Sequence, residues 1–384
     1  MTASPLQALP IERLRERTST KWRAYPADVL PLFVAETDFP LAPAITARLR
    51  AAVEIGDTGY TPPKPGIAEA YAGFARRRYG WEIDPAHVRS TGDVVMGLVE
   101  ILRATISPGD RVVITPPVYP PFYDLIPEAG GVVETVPLLA DAGYTLDLAG
   151  IEAALAGGAR AVLLCNPHNP TGTVHSRETL AELAEIAARH GAIVVSDEIH
   201  APLVHAPATF TPFLSASPVA ASVGYAVASA SKAFNLAGLK CALISTAADH
   251  TRRVVQGLPK EVEWRTGHFG ALAGVAAFSP ESDEWLDALL AALDANRHLL
   301  ADLLAEHVPA ARYAIPDAGY LAWVDLSGLG WGEDPAERIL TEARVAVHHG
   351  PTFGDEGRGF VRVNFGCSPE VLREAIERIG ELSR

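Results

Sequence analysis

The sequence predicts an α/β protein, with a mostly parallel, doubly wound sheet and a smaller α+β C-terminal domain. Three observations carry that prediction. Between about residue 90 and residue 246, short β-branched apolar runs alternate with amphipathic helical patterns. The runs are apolar on both faces, as strands covered by helices on both sides must be. Beyond about residue 280 the pattern changes to a long Ala- and Leu-rich helix followed by short strand patterns.

Taken in order, residues 1–43 are proline-rich and poorly periodic. They are expected to pack on the small domain or on a neighbouring subunit. Residues 44–280 form the large domain and residues 281–384 the small one. The predicted strands of the large domain are Arg111–Thr115, Gly131–Val136, Arg160–Leu164, Ala192–Ser196, Val223–Ala228 and Cys241–Ser245. Between two of them Ser176 caps a helix through His190, with Leu180, Leu183, Ile186 and Ala187 as its inner stripe. In the small domain a helix is predicted over Asp283 to His307, and strands over Tyr320–Asp325, Val345–His348 and Phe360–Phe365. Asp334-Pro335-Ala336-Glu337 and Ser368-Pro369 are helix starts, with a capping side chain before a proline at the first helical position.

Composition narrows the function classes. A chain of 384 residues with 48% hydrophobic and 20% charged residues reads as an ordinary globular protein large enough for two domains. A formal net charge of −14 argues against nucleic acid or an acidic membrane as partner. Three widely spaced cysteines (Cys165, Cys241 and Cys367) make neither a disulfide framework nor a zinc site, which fits a reducing cytoplasm. The start Met1-Thr2-Ala3-Ser4-Pro5 has no basic or apolar leader pattern, and no apolar stretch reaches spanning length.

The chemistry-bearing residues fall at the C-terminal ends of the predicted strands, where open α/β sheets bind ligands. Tyr119 comes after the run Arg111–Thr115 and Asn169 after Arg160–Leu164. Asp197 ends the run Ala192–Ser196, and Val223–Ala228 leads into Ser229-Ala230-Ser231-Lys232-Ala233-Phe234-Asn235. Lys232 sits among small and apolar residues, where a poorly solvated ammonium loses its proton readily and the amine can form a Schiff base. Taken singly, each residue has an ordinary role: Asp197 and Asn169 as turn formers, Tyr119 as packing, Arg362 as a surface ion pair. Together an aromatic face, an amide, a carboxylate and an amine suit one cofactor, pyridoxal phosphate. Its aldehyde needs the lysine, its pyridine nitrogen an acid, its ring a face to stack on, and its phosphate serines and backbone N–H groups.

At this point the chain resembles the fold-type I pyridoxal-phosphate enzymes of the class I/II aminotransferase superfamily. The resemblance rests on Asn166-Pro167-His168-Asn169-Pro170-Thr171-Gly172, Asp197-Glu198-Ile199, Ser229-Ala230-Ser231-Lys232 and Phe360-Val361-Arg362-Val363-Asn364-Phe365. Lys21-Trp22, the stretch from Leu30 to Phe39 and Lys232-Ala233-Phe234-Asn235-Leu236-Ala237-Gly238 make it most similar to the cystathionine β-lyase-like branch. The resemblance implies that Lys232 forms the Schiff base and shuttles the proton at Cα. It further implies that Asp197 pairs with the pyridine nitrogen, that Asn169 and His200 serve the ring hydroxyl, and that Tyr119 stacks on the ring. Ser229, Ser231, Lys240 and the backbone N–H groups of Val94 and Val95 would face the phosphate. Arg362 would grip the substrate α-carboxylate, with Asn169 and Ala35 on the substrate side. Tyr60 resembles a tyrosine that reaches the phosphate in the neighbouring subunit's site, which implies a homodimer with shared active sites. Asp93 stands where relatives tend to have glycine, and is expected to point away and cap the following helix. Asp197, Glu198 and His200 lack the spacing of a metal site. His348 and His349 are expected in a loop over the site.

The implied activity is carbon–sulfur β-elimination from cystathionine or a cysteine S-conjugate. Transamination of amino acids is the alternative, because it shares the same residues up to removal of the Cα proton. A cofactor-binding regulator would need a DNA-binding module that the short, proline-rich N-terminus does not provide. A nicotinamide dehydrogenase would need a Gly-x-Gly-x-x-Gly after a strand, and none is present.

Overall fold

The computed structural model describes residues 5–383. Met1–Ser4, which belong to the N-terminal segment read above, and Arg384 lie outside the described residues. The large sheet has seven strands: β1 (Val88–Thr91), β2 (Arg111–Ile114), β3 (Val132–Thr135), β4 (Ala161–Cys165), β5 (Ile193–Asp197), β6 (Gly224–Ala228) and β7 (Ala242–Ser245). Their order across the sheet is β1-β7-β6-β5-β4-β2-β3. Only β7 runs against its neighbours, so the sheet is mostly parallel. The chain steps outward from β2 to β3 and then returns to the other side of β2 as β4. That reversal opens a crevice at the C-terminal ends of β2 and β4, the natural place for a ligand in such a sheet.

Burial explains the run pattern. Every residue of β4 and β6 is buried, and helices cover both faces. The helix Arg177–Arg189 buries Leu180, Leu183, Ile186 and Ala187, and Ser176 Oγ accepts the Thr179 N–H at 3.1 Å to start it. Two details differ from the sequence reading. β3 is the sheet edge and stands half in solvent, with Val132 49% exposed. β1 was not predicted; Val88-Arg89-Ser90-Thr91 is too short and too polar to carry a strand pattern, and pairing with β7 makes it one.

The C-terminal part carries a four-stranded antiparallel sheet of β8 (Arg312–Tyr313), β9 (Leu321–Asp325), β10 (His348–His349) and β11 (Phe360–Asn364), in the order β10-β11-β9-β8. The helices Asp283–His307 and Pro369–Glu381 pack together beside it. Ser368 Oγ accepts the Val371 N–H at 3.3 Å, as its position before a proline predicts. Asp334 does not cap its helix: its carboxylate is taken by His349 Nδ1 at 2.7 Å, and the helix from Pro335 loosens into a π-helical turn over Ile339–Ala343. The strand predicted over Val345–His348 is split. Val345–Ala346 pairs in parallel with Leu30–Pro31, and His348–His349 joins β11. The N-terminal segment therefore packs on the C-terminal part of the same chain. None of the described helices is long and apolar enough to cross a membrane.

One ion pair fixes the N-terminal segment. Lys21 Nζ donates to Asp38 Oδ1 at 2.7 Å and to the Glu36 carbonyl at 3.1 Å. The two side chains are 0% and 2% exposed, so neither charge has water as an alternative partner. Replacing Lys21 by Met strands a buried carboxylate, and is expected to cost about 3–5 kcal/mol in chemical denaturation. The double replacement Lys21→Met, Asp38→Leu should recover most of it; a loss below about 1 kcal/mol for the single replacement would show that the pair is not desolvated as described.

Candidate active site

The crevice at the ends of β2, β4, β5 and β6 is a cavity of about 520 Å³. Tyr119, Asn169, Asp197, His200, Ser231, Lys232 and Arg362 all line it, together with Val94 and Val95. Each arrives by a short local route. Asp197 is the last residue of β5, and its Oδ1 accepts the Ile199 N–H at 3.1 Å. Lys232 comes in a turn after β6, and Arg362 sits in the middle of β11. The Asn-Pro turn after β4 brings Asn169 inward. Gly172 closes that turn at φ +71, and a Cβ there would run into Pro316, so only glycine fits.

The electrostatics derive from burial. Lys232 is pushed down to about 8, first by loss of water and then by the Arg362 charge, with Glu36 and Asp197 pulling the other way. Its Nζ donates to the Ala35 carbonyl at 3.2 Å. Asp197 is pushed up to about 7 by burial, against its bond from Ile199 and the nearby Lys232 charge. Arg362 is lowered to about 10 by burial. Its Nη1 donates to Asn169 Oδ1 at 3.1 Å, and its Nη2 to the Phe33 carbonyl at 3.0 Å and to His348 Nδ1 at 3.1 Å. The buried Nε of Arg362 has no hydrogen-bond partner among the described residues. Burial drives His200 down to about 3 and His348 to about 4, so both rings are neutral at physiological pH.

The anion-binding end is a helix start. In the helix Val94–Thr105 the first two N–H groups have no intrahelical acceptor, and the helix dipole favours negative charge there. Asp93 is the cap: its Oδ1 accepts the Met96 N–H at 2.9 Å, while its Oδ2 pairs with Lys240 Nζ at 3.0 Å. The carboxylate is thus neutralised by the residue expected to face the anion, and Lys240 reaches the cavity as half of an ion pair.

Two sequence expectations, for Ser229 and for the His348–His349 pair, are placed differently. Ser229 does not line this cavity; its hydroxyl donates to the Cys241 carbonyl at 2.7 Å and lies 2.8 Å from Ser231 Oγ, so it supports Ser231 from behind. Tyr60 is fully exposed and outside the cavity of its own chain. His348 is in a strand opposite Arg362 rather than in a loop, and His349 turns away to Asp334. Glu198 also leaves the site: its Oε1 accepts from Phe213 N at 2.7 Å and Ser196 Oγ at 3.1 Å, so it does not join Asp197 and His200. Among the described residues no group of three or more His, Cys, Asp or Glu is placed to hold a metal ion.

Tyr320 and Phe33 were missed. Tyr320 is fully buried and donates its phenol to the Ala35 carbonyl at 2.9 Å, the same oxygen that Lys232 uses. Tyr320 opens a predicted strand and reads as packing; Phe33 lies in the stretch that carries the resemblance, but an apolar residue there does not signal that its carbonyl meets a guanidinium.

A doubly wound sheet with a desolvated lysine, a buried aspartate and a strand-borne arginine around one crevice defines a class of small-molecule enzyme. The chain belongs to the class I and II aminotransferase family, whose model matches residues 28–379. It is 45% identical to a putative cystathionine beta-lyase of Mycobacterium leprae, over 99% of this chain and 98% of that one. It is 37% identical to a cystathionine beta-lyase of Corynebacterium glutamicum, over 97% and 98%. Among solved structures, a putative PLP-dependent beta-cystathionase from Corynebacterium diphtheriae superposes with a TM-score of 0.94 at 35% identity, covering 98% of each chain.

The depressed lysine gives a direct test. In the ligand-free protein, acylation of Lys232 followed by mass spectrometry should rise with a midpoint near pH 8, where the neutral amine appears. A midpoint in the range of exposed lysines, about 10.4, would contradict the desolvated setting.

Proposed function

We propose that the protein is a pyridoxal-phosphate-dependent carbon–sulfur β-lyase. It would convert cystathionine or a cysteine S-conjugate, with water, to a thiol, pyruvate and ammonia. The observation that carries this reading is the meeting of the half-buried Lys232 with the buried Asp197 and Arg362 in one cavity that ends on a helix N-terminus. The donor set fits the cofactor: an amine for its aldehyde, an acid for its ring nitrogen, and open N–H groups for its phosphate. When bound, pyridoxal phosphate supplies an electrophilic carbon for amines and a protonated ring that accepts electrons from Cα.

The work would be divided among the residues. Lys232 would hold the cofactor through its amine, and the same amine would take the Cα proton of the substrate. Its lowered affinity for protons suits both tasks at neutral pH. Asp197, buried in the same cavity as Lys232, would hold a proton on the ring nitrogen. Tyr119 would offer its ring face, and His200 and the Asn169 amide, which line the same cavity, would serve the ring hydroxyl. Arg362 grips the α-carboxylate. Asn169, Phe33 and His348 already fix its plane, so little freedom is lost on binding. Ser231, Val94 and Val95 hold the phosphate, with Ser229 and the Asp93–Lys240 pair behind them.

The protein would act as a homodimer. Tyr60 and Trp264 are 103% and 70% exposed. Their loops are joined where Thr61 Oγ1 donates to the Thr266 carbonyl at 2.8 Å, and Gly267 N–H binds the Lys240 carbonyl at 2.7 Å. This apolar surface therefore borders the phosphate end of the cavity, where a second copy would cover it and receive Tyr60. Transamination is the second reading. It uses the same residues, and the description of the matching family favours it.

Two variants test the assignment. Purified protein should show a yellow absorbance band that borohydride abolishes. Lys232→Ala should lack that band and lose roughly 10²–10⁴-fold in kcat. Arg362→Lys keeps the charge but not the planar fork, and should raise KM by about 10–100-fold with a smaller change in kcat. A normal band in Lys232→Ala, or a normal KM in Arg362→Lys, would remove that residue from its role.

A further inference from the structure

Residues Phe33–Thr37 belong to no helix or strand, yet every one of their carbonyls is held by a side chain from elsewhere. Phe33 O accepts from Arg362 at 3.0 Å, and Val34 O and Glu36 O accept from Asn364 Nδ2 at 2.6 and 2.7 Å. Asn235, three residues after Lys232, clamps Thr37 from both sides, donating to its carbonyl at 3.2 Å and accepting its N–H at 3.1 Å. Between these anchors lies Ala35, whose oxygen receives Lys232 Nζ at 3.2 Å and Tyr320 Oη at 2.9 Å. The segment is a backbone splint. The lysine turn is bolted to it on one side, and the arginine strand and its neighbour on the other.

We propose that Tyr320 is a positioning residue for Lys232: its phenol fixes the Ala35 carbonyl and fills one of that oxygen's two lone pairs, leaving the amine only the other. The inference rests on the reading of Lys232 as the reactive amine. A carbonyl oxygen accepts two hydrogen bonds, so a second donor weakens its hold on an ammonium. Tyr320 is an invariable donor in this setting, because burial pushes its phenol far above any working pH and keeps it neutral. The carbonyl is thereby a fixed resting place for the freed amine without being a strong trap for its proton. The charged and titratable groups that face Lys232 are Arg362, Asp197, Glu36 and His200, besides Tyr320 itself. Tyr320→Phe leaves the other four in place and removes one oxygen atom.

The test is the pH profile of Lys232 acylation in cofactor-free Tyr320→Phe, with the steady-state constants of the loaded enzyme alongside. The midpoint should rise by about half a pH unit, since the freed lone pair then serves the ammonium. At neutral pH kcat should fall roughly three- to tenfold while KM stays within about twofold. An unmoved midpoint overturns the inference, whether or not kcat falls, because a merely structural role lowers activity without moving the titration. A second variant keeps the idea testable should Tyr320→Phe not fold. Asn235→Gly suits the left-handed backbone at φ +56 and removes the other clamp. It should speed hydrogen exchange of the Thr37 amide and lower kcat; unchanged exchange and kcat contradict the splint. Absence of a borohydride-sensitive band in the unaltered protein would instead overturn the reading of Lys232, which separates the two failures.

Discussion

The partial withdrawal of Lys232 from water is the constraint on which the site depends. Burial weakens its hold on a proton, and the Arg362 charge pushes the same way. Asp197 and Glu36 restore part of the balance, so the amine sits near the pH at which it must change state. Each neighbour is itself held by the same desolvation. Asp197 is raised by burial and steadied by one backbone N–H; Arg362 is held through Nη1 and Nη2 by Asn169, Phe33 and His348, which leaves its Nε open. The fold supplies the rest: the reversal between β2 and β4 opens the crevice, and the parallel strands deliver their ends to it.

The splint at residues 33–37 gives that balance a mechanical side. Arg362 comes from the C-terminal sheet, and Lys232 from the turn after β6. Their relation is set through a short irregular segment whose carbonyls both parts share. The Lys21–Asp38 pair locks the far end of the same segment, so the lysine at position 21, far from the cavity in sequence, belongs to the framework of the site.

Much of this was legible in the sequence, for a physical reason. Buried parallel strands write themselves as unbroken apolar runs, and the strand-end rule then points to Tyr119, Asn169, Asp197 and Lys232. The long helix from Asp283 and the caps at Ser176 and Ser368 were equally plain, since capping is a local interaction. Tertiary choices were not. Ser229 turns from the cavity to Cys241, Asp334 deserts its helix for His349, and Lys240 pairs with Asp93. In each case a distant partner outcompetes the local role. The bond of Tyr320 to Ala35 and the meeting of His348 with Arg362 were invisible because they depend on which carbonyl or guanidinium each side chain meets, and residue type alone does not record that.

On the proposed reading, the residues would bind an amino acid and remove its Cα proton. The fate of the resulting carbanion depends on the substituent at Cβ, where a good leaving group turns the same machinery toward elimination. Carbon–sulfur cleavage is therefore tested most directly by incubating the loaded enzyme with cystathionine or an S-alkyl cysteine and counting products. Pyruvate and free thiol in equal amounts, without an added keto acid, are the predicted result. Keto acid that appears only when a keto-acid acceptor is supplied, with the sulfur still attached to carbon, would contradict it.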